Sequence, residues 1–113
     1  MPITAVGRKR KGDAAELEVL RLLRDELGDH LVRARLEGVN DHGDITGLAC
    51  AVQVKNYADT ARAVREGLAG VATQKVNAGL MWGAVFVRRR GGKFFVAMDA
   101  AEWISLYREA VLR

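Results

Sequence analysis

The chain reads as an α/β domain, a mixed central sheet flanked by helices, in the order α-β-β-β-α-β-β-α. Three observations predict it. Three stretches place apolar residues at i, i+3/i+4 spacing, which marks half-buried helices. Five short runs bounded by turn residues, many of them glycine, read as strands. No repeat, low-complexity stretch or linker interrupts them, and the single proline is Pro2. With 113 residues, half of them hydrophobic, the length suits one domain with a modest core.

Residues 1–11 are expected to form a basic N-terminal arm and residues 12–113 a single domain. The first helix should run from about Asp13 to Leu27, closed by Gly28, with Leu20, Leu23 and Leu27 on its buried stripe. Leu31 to Leu36 alternates and reads as a strand, followed by a polar loop from Glu37 to Gly43. Asp44 to Leu48 and Ala49 to Asn56 read as two strands joined near Gly47. Asp59-Thr60 can cap a second helix that runs to about Asn77 and is closed by Gly79, with Ala61, Val64, Leu68 and Val71 as its apolar stripe. Leu80 to Arg88 and Lys93 to Met98 are strands around the turn Arg89-Arg90-Gly91-Gly92. Asp99 with Glu102 matches a capping box for a last helix whose Trp103, Leu106, Tyr107 and Ala110 should face inward.

Composition narrows the function classes. No apolar run approaches the roughly 18 residues of a membrane span, and the N-terminus lacks the apolar core of a signal peptide. Cys50 is the only cysteine, so no internal disulfide can form and a cytoplasmic location is expected. One cysteine and two distant histidines also argue against a zinc site. The formal net charge is +4, and its distribution says more than its total. Arg8-Lys9-Arg10-Lys11 forms one basic run, and Arg88-Arg89-Arg90 with Lys93 forms another. Each alone suits a solvated surface, whereas two of them flanking an acidic site point to a phosphate backbone.

That site centres on Gln53-Val54-Lys55. Side chains alternate along a strand, so Val52 and Val54 share one face while Gln53 and Lys55 share the other. Asp44 lies nine residues before Gln53, and a tight hairpin brings the two together. Glu16 lies four residues before Leu20, on the buried stripe of the first helix, whereas Glu18 shares the solvated side with Arg21 and Asp25. A carboxylate aimed at the core needs a partner. Asp13 as N-cap with Glu16 at the third helical position would supply one as a capping box, and a cation would supply another. Glu16, Asp44 and the carbonyl oxygen of Gln53 together could hold a hard cation such as Mg2+ or Mn2+. Lys55 could then orient an attacking water or stabilise a pentavalent transition state, where its ordinary role would be a snorkelling strand lysine.

Lys11-Gly12-Asp13-Ala14-Ala15-Glu16, then Asp44, then Gln53-Val54-Lys55, resembles the PD-(D/E)XK nuclease superfamily. Within it, the opening is similar to the archaeal-type Holliday junction resolvases, and the resemblance covers roughly residues 8–98. It implies a restriction-endonuclease-like fold. It also implies metal-dependent hydrolysis of branched DNA, such as a four-way junction, to 5′-phosphate and 3′-hydroxyl ends. Glu16 corresponds to the helix acid, Asp44 to the motif aspartate and Lys55 to the motif lysine. Gln53 stands where most members carry glutamate or aspartate, and Q-x-K variants resemble the Mrr-type branch. Gly43 replaces the motif proline. Cutting two strands symmetrically implies a C2 homodimer. Rival readings are an Mrr-like or nicking nuclease without junction selectivity, and a DNA-binding module of the same fold that has lost its chemistry.

Candidate DNA contacts are Arg8, Lys9, Arg10, Lys11, Arg33, Arg35, Lys75, Arg89 and Arg90. Gln74 and Lys75 otherwise read as a polar surface pair, and His42 as a solvated loop residue. Trp82, Phe86, Phe94, Phe95 and Trp103 are most simply core or dimer contacts.

Overall fold

The computed structural model describes residues 5–33, 41, 43–89 and 91–112, with side chains from Gly12 onward. Helix α1 spans Ala5–Leu27, strand β1 Val32–Arg33, β2 Ile45–Thr46, β3 Cys50–Lys55, α2 Thr60–Ala78, β4 Trp82–Arg88, β5 Phe94–Ala97 and α3 Ala100–Tyr107. The last helix continues as a wider π-helical turn over Arg108–Leu112. The chain is thus an α/β domain with a five-stranded mixed sheet and three helices. Among the described residues, no helix is long and apolar enough to cross a membrane.

The sheet order is β1-β2-β3-β4-β5. Strands β1, β2 and β3 form an antiparallel meander. Helix α2 then carries the chain across to β4, which lies parallel to β3, and β5 returns antiparallel to β4. A parallel pair needs such a crossover, because a two-residue turn cannot reverse the chain twice.

Period-two alternation divides the core between the two faces of the sheet. Val52 and Val54 of β3 pack with Ile45, Leu31 and the α1 residues Ala15, Val19 and Leu20, joined by the partly buried Phe86 and Phe94. Val85 and Val87 of β4 pack on the other face against Ala63 and Val71 of α2, joined by Phe95 and Ala97. Gln53 and Lys55, alternating with the two valines, accordingly turn toward the α2 side.

Helix α1 begins at Ala5, eight residues before the expected start. Arginine and lysine are good helix formers, so the basic run Arg8–Lys11 continues the helix instead of preceding it as an arm. Asp13 is therefore an interior helical residue and not an N-cap. The far end of the expected stripe also differs, since Leu27 is exposed while Leu23 packs against the core.

Helix α2 is bounded as its sequence implies. Asp59 is the N-cap, accepting from the Arg62 N–H at 3.1 Å, and Gly79 closes the helix in the left-handed conformation at φ 68°. Its buried row is Ala63, Gly67, Val71 and Gln74, not the larger stripe read from the sequence: Ala61 is exposed, and Val64 and Leu68 flank the core. Small residues win because the helix lies very close to β4. A Cβ on Gly67 would run into the Val85 side chain, and one on Gly83 would come within 2.7 Å of the Val71 Cβ.

Helix α3 departs furthest from expectation. Asp99 is its N-cap, but the Glu102 side chain does not return to complete a capping box. Glu102 instead accepts from the Gly83 N–H at 2.7 Å and pairs with Lys75 at 3.0 Å, while Ser105 accepts from the Trp82 indole at 3.1 Å. These polar contacts dock the helix. None of its residues is buried, and Trp103, Leu106 and Tyr107 are exposed instead of facing inward.

Candidate active-site cleft

The β2–β3 hairpin opens with Gly43 and Asp44. Gly43 has φ 103°, and a Cβ there would lie 2.8 Å from the Val52 carbonyl oxygen. Its N–H also donates to the Asp41 carboxylate at 2.9 Å. Proline fails on all three counts, since its φ is fixed near −65° and it has no N–H. Glycine at this position is thus required by the loop.

Asp44 follows with its backbone N–H donating to the Val52 carbonyl and its carboxylate accepting from the Val54 N–H, each at 2.7 Å. The side chain thereby extends the β2–β3 ladder by one bond and holds its carboxylate opposite Gln53. Burial pushes this carboxyl up to about 6, the Val54 N–H opposes the rise, and the charges of Glu16 and Asp41 add to it against the counter-effect of Lys55. A carboxylate so placed gains from any positive charge brought to it.

Glu16 reaches the same cleft from α1. Its Oε2 pairs with the Arg33 guanidinium at 2.6 Å, and the same guanidinium reaches Asp13 at 3.0 Å. The spacing of Asp13 and Glu16 puts both acids on one helix face, where a single arginine serves them. Arg33, a candidate DNA contact by sequence, is the local counter-ion of these two acids.

Gln53 is held by a residue that the sequence placed at the surface. Gln74 is 3 % exposed; its amide Nε2 donates to the Gln53 carbonyl oxygen and, at 2.8 Å, to the Asp41 carboxylate. Asn77 donates to the Asp41 backbone carbonyl at 3.0 Å, so α2, β3 and the loop before β2 meet at one polar junction. The Gln74 Oε1 is buried with no hydrogen-bond partner among the described residues. A single glutamine in a polar segment gave no signal of this, because its partners lie 21 and 33 positions away.

Lys55 turns toward Tyr57. Its ammonium lies 3.3 Å from the Tyr57 hydroxyl and 5.2 Å from the ring centroid, while the Arg62 guanidinium lies 5.5 Å from that centroid. Arg62 also pairs with Glu66 at 2.9 Å, and its hydrogen bond, followed by that of Tyr57, holds Glu66 below the usual carboxylate range. Tyr57 and Arg62 are site residues that sequence reasoning missed. The available signal was Tyr57 two residues beyond Lys55.

Glu16, Asp44, Gln53 and Lys55 all line one cleft of about 670 Å³, together with Gly12, Tyr57, Asp59 and Arg62. The remaining candidates scatter. Lys75 pairs with Glu102 away from the cleft, and Arg89 is exposed at the β4–β5 turn, where its N–H donates to the Lys93 carbonyl at 2.6 Å. Arg8, Lys9, Arg10 and Lys11 lie on the first turns of α1, with side chains outside those described. Arg35, His42 and Arg90 lie outside the described residues. Among the described residues, no group of three or more histidine, cysteine, aspartate and glutamate side chains is arranged to hold a metal. An amide at position 53 leaves three carboxylates along the cleft, Glu16, Asp44 and Asp59, and the last of these caps α2.

Comparison of the chain with protein-family models, with curated proteins and with solved structures found no match.

Proposed function

We propose that the chain is a metal-dependent endodeoxyribonuclease acting on branched DNA, with a four-way junction as its substrate and a homodimer as its working form. The observation that carries this reading is the convergence of Glu16, Asp44, Gln53 and Lys55 on one cleft from a helix, a hairpin and a strand. These are the four residues that the resemblance to PD-(D/E)XK nucleases singles out.

The donor set suits a hard divalent cation. Asp44 is a half-buried carboxylate whose burial disfavours its ionised form, and Glu16 faces the same space. Glu16, Asp44 and the second lone pair of the Gln53 carbonyl oxygen would hold Mg2+ or Mn2+, which when bound supplies Lewis acidity and lowers the pKa of a water. The chain's own residues do the rest. Lys55 would bring an ammonium to a phosphate bound in the cleft and offset the negative charge that develops during attack. Tyr57 fixes that ammonium, and Arg62 adds a second cation at the rim. Gly12 lines the cleft, so the basic run Arg8–Lys11 immediately before it supplies sequence-independent grip on the phosphate backbone. The expected products carry 5′-phosphate and 3′-hydroxyl ends.

A second reading is a DNA-binding module of this fold without chemistry. Two contacts favour it: Glu16 is paired with Arg33, and the Gln53 carbonyl is engaged by Gln74. The test is to incubate the protein with a four-way junction and a linear duplex side by side, with Mg2+ or Mn2+, beside Asp44→Asn. Junction cutting lost in the variant while binding persists supports the resolvase. Equal cutting of both substrates favours an Mrr-like or nicking nuclease, and junction binding without nicking in either metal favours the silent module.

A further inference from the structure

We infer that a second copy of this chain docks on the edge of β5, in an antiparallel two-fold pairing centred on Val96, with α3 as the flank of the interface. This deepens the two-site reading above by giving the second copy a place, yet its evidence is the surface alone and its test involves no cutting.

Strand β5 ends the sheet, so its outer row of backbone N–H and C=O groups has no strand partner among the described residues. Such an edge is a template for another strand, and proteins that stay monomeric blunt it with charge or proline. Here the strand Phe94–Ala97 is wholly apolar, and Val96 is 51 % exposed. Beside it, a groove of about 740 Å³ is lined by Val96, Met98, Trp103, Ile104 and Leu106. Trp103 and Tyr107 stack with their ring centroids 5.4 Å apart, so the exposed aromatic surface is already ordered. Rigid aromatic surface of this kind is typical of interface centres.

The residues that flank the strand identify the occupant. Lys93 and Asp99 lie three residues either side of Val96, and both are exposed. An antiparallel pair related by a two-fold axis through Val96 sets Lys93 of each copy opposite Asp99 of the other. The same register sets Phe94 opposite Met98, Phe95 opposite Ala97 and Val96 opposite itself. Apolar pairs fill the middle and opposite charges close both ends, the pattern that stabilises cross-strand neighbours. No other two-fold centre on this strand matches those two charges, and a self-complementary patch is what an isologous dimer requires.

Sedimentation of the full chain at micromolar to near-millimolar concentration tests this, with about twice the 12.4 kDa chain mass expected. Val96→Lys sets like charges on the axis and should weaken association by roughly tenfold or more, with an unchanged circular dichroism spectrum. Val96→Cys in a Cys50→Ser background should form a disulfide-linked dimer under mild oxidation. Directly opposed residues of an antiparallel pair lie within disulfide range, whereas Lys93→Cys in the same background should not link. A wild-type chain that stays monomeric throughout overturns the inference. So does a dimer that Val96→Lys leaves intact, or one in which Val96→Cys fails to link.

Discussion

The Asp44 carboxylate takes the place of a backbone carbonyl for Val54: Oδ2 accepts the Val54 N–H at 2.7 Å, ten residues along the chain. One side chain therefore completes the sheet and presents charge to the cleft. These two duties set opposite demands, because the first needs burial and the second needs ionisation.

The conflict is measurable as a pH dependence. Burial raises the Asp44 carboxyl from 3.8 to about 6, so its ionised form is the disfavoured one in the folded protein. The stability associated with this group is fully present below its unfolded value and is lost as pH rises through about 6. A rise of this size corresponds to roughly 3 kcal/mol at most. Asp44→Asn keeps an acceptor for Val54 without the charge, so it should melt higher than wild type at pH 8, with the gap closing near pH 4. Thermal melts across that range check it, and adding Mn2+ should raise only the wild-type midpoint.

Proline at position 43 should harm this chain. Gly43→Pro loses the N–H bond to Asp41, cannot adopt φ 103° and clashes with Val52. The expected loss is about 3 kcal/mol or more, within the range of proline placed where backbone geometry forbids it. Urea unfolding measures it, and a variant as stable as wild type would refute the account of this turn.

Gln74→Leu should cost about 1–3 kcal/mol, because it removes the donor shared by Gln53 and Asp41 and leaves both acceptors without it. Hydrogen exchange should show the loss concentrated around Gly43 and Gln53. Gln53→Glu should be tolerated better, since the Gln74 amide can still donate to it. It should also enlarge the melting shift produced by Mn2+ by supplying a third carboxylate.

Arg33→Ala frees Glu16 and Asp13 from their shared guanidinium. Without that internal competitor, Mn2+ should bind more tightly in calorimetric titration, by a few-fold in affinity. The apo protein should lose only about 1 kcal/mol, because the pairs are partly solvated.

Much of the site was legible because it rests on local periodicity. Alternation along β3 placed Gln53 and Lys55 together, and the short hairpin put Asp44 opposite them. Asp59 and Gly79 announced both ends of α2 through their own backbone chemistry. The failures share a different cause. Gln74 looked like a surface residue because its burial depends on partners distant in sequence. Helix α3 has an apolar stripe, but periodicity does not say whether this chain or another molecule covers it. The start of α1 was missed because a run of like charge looks solvated, although its residues have good helical propensity. The apolar stripe of α2 differs in part because glycine carries no hydrophobic signal, yet Gly67 stands where a Cβ would run into Val85.

That glycine seam decides where the cleft can be redesigned. Gly67 and Gln74 stand seven residues apart on one helix, almost two full turns, so the spacing between α2 and β4 sets how deeply Gln74 meets Gln53. A larger side chain at Gly67 or Gly83 would lift the helix and pull that junction apart. Tyr57 and Arg62 at the rim carry no such constraint from the seam, whereas Asp59 must stay to cap α2. A combinatorial library that reshapes the cleft should therefore diversify these two rim positions and hold the two glycines fixed.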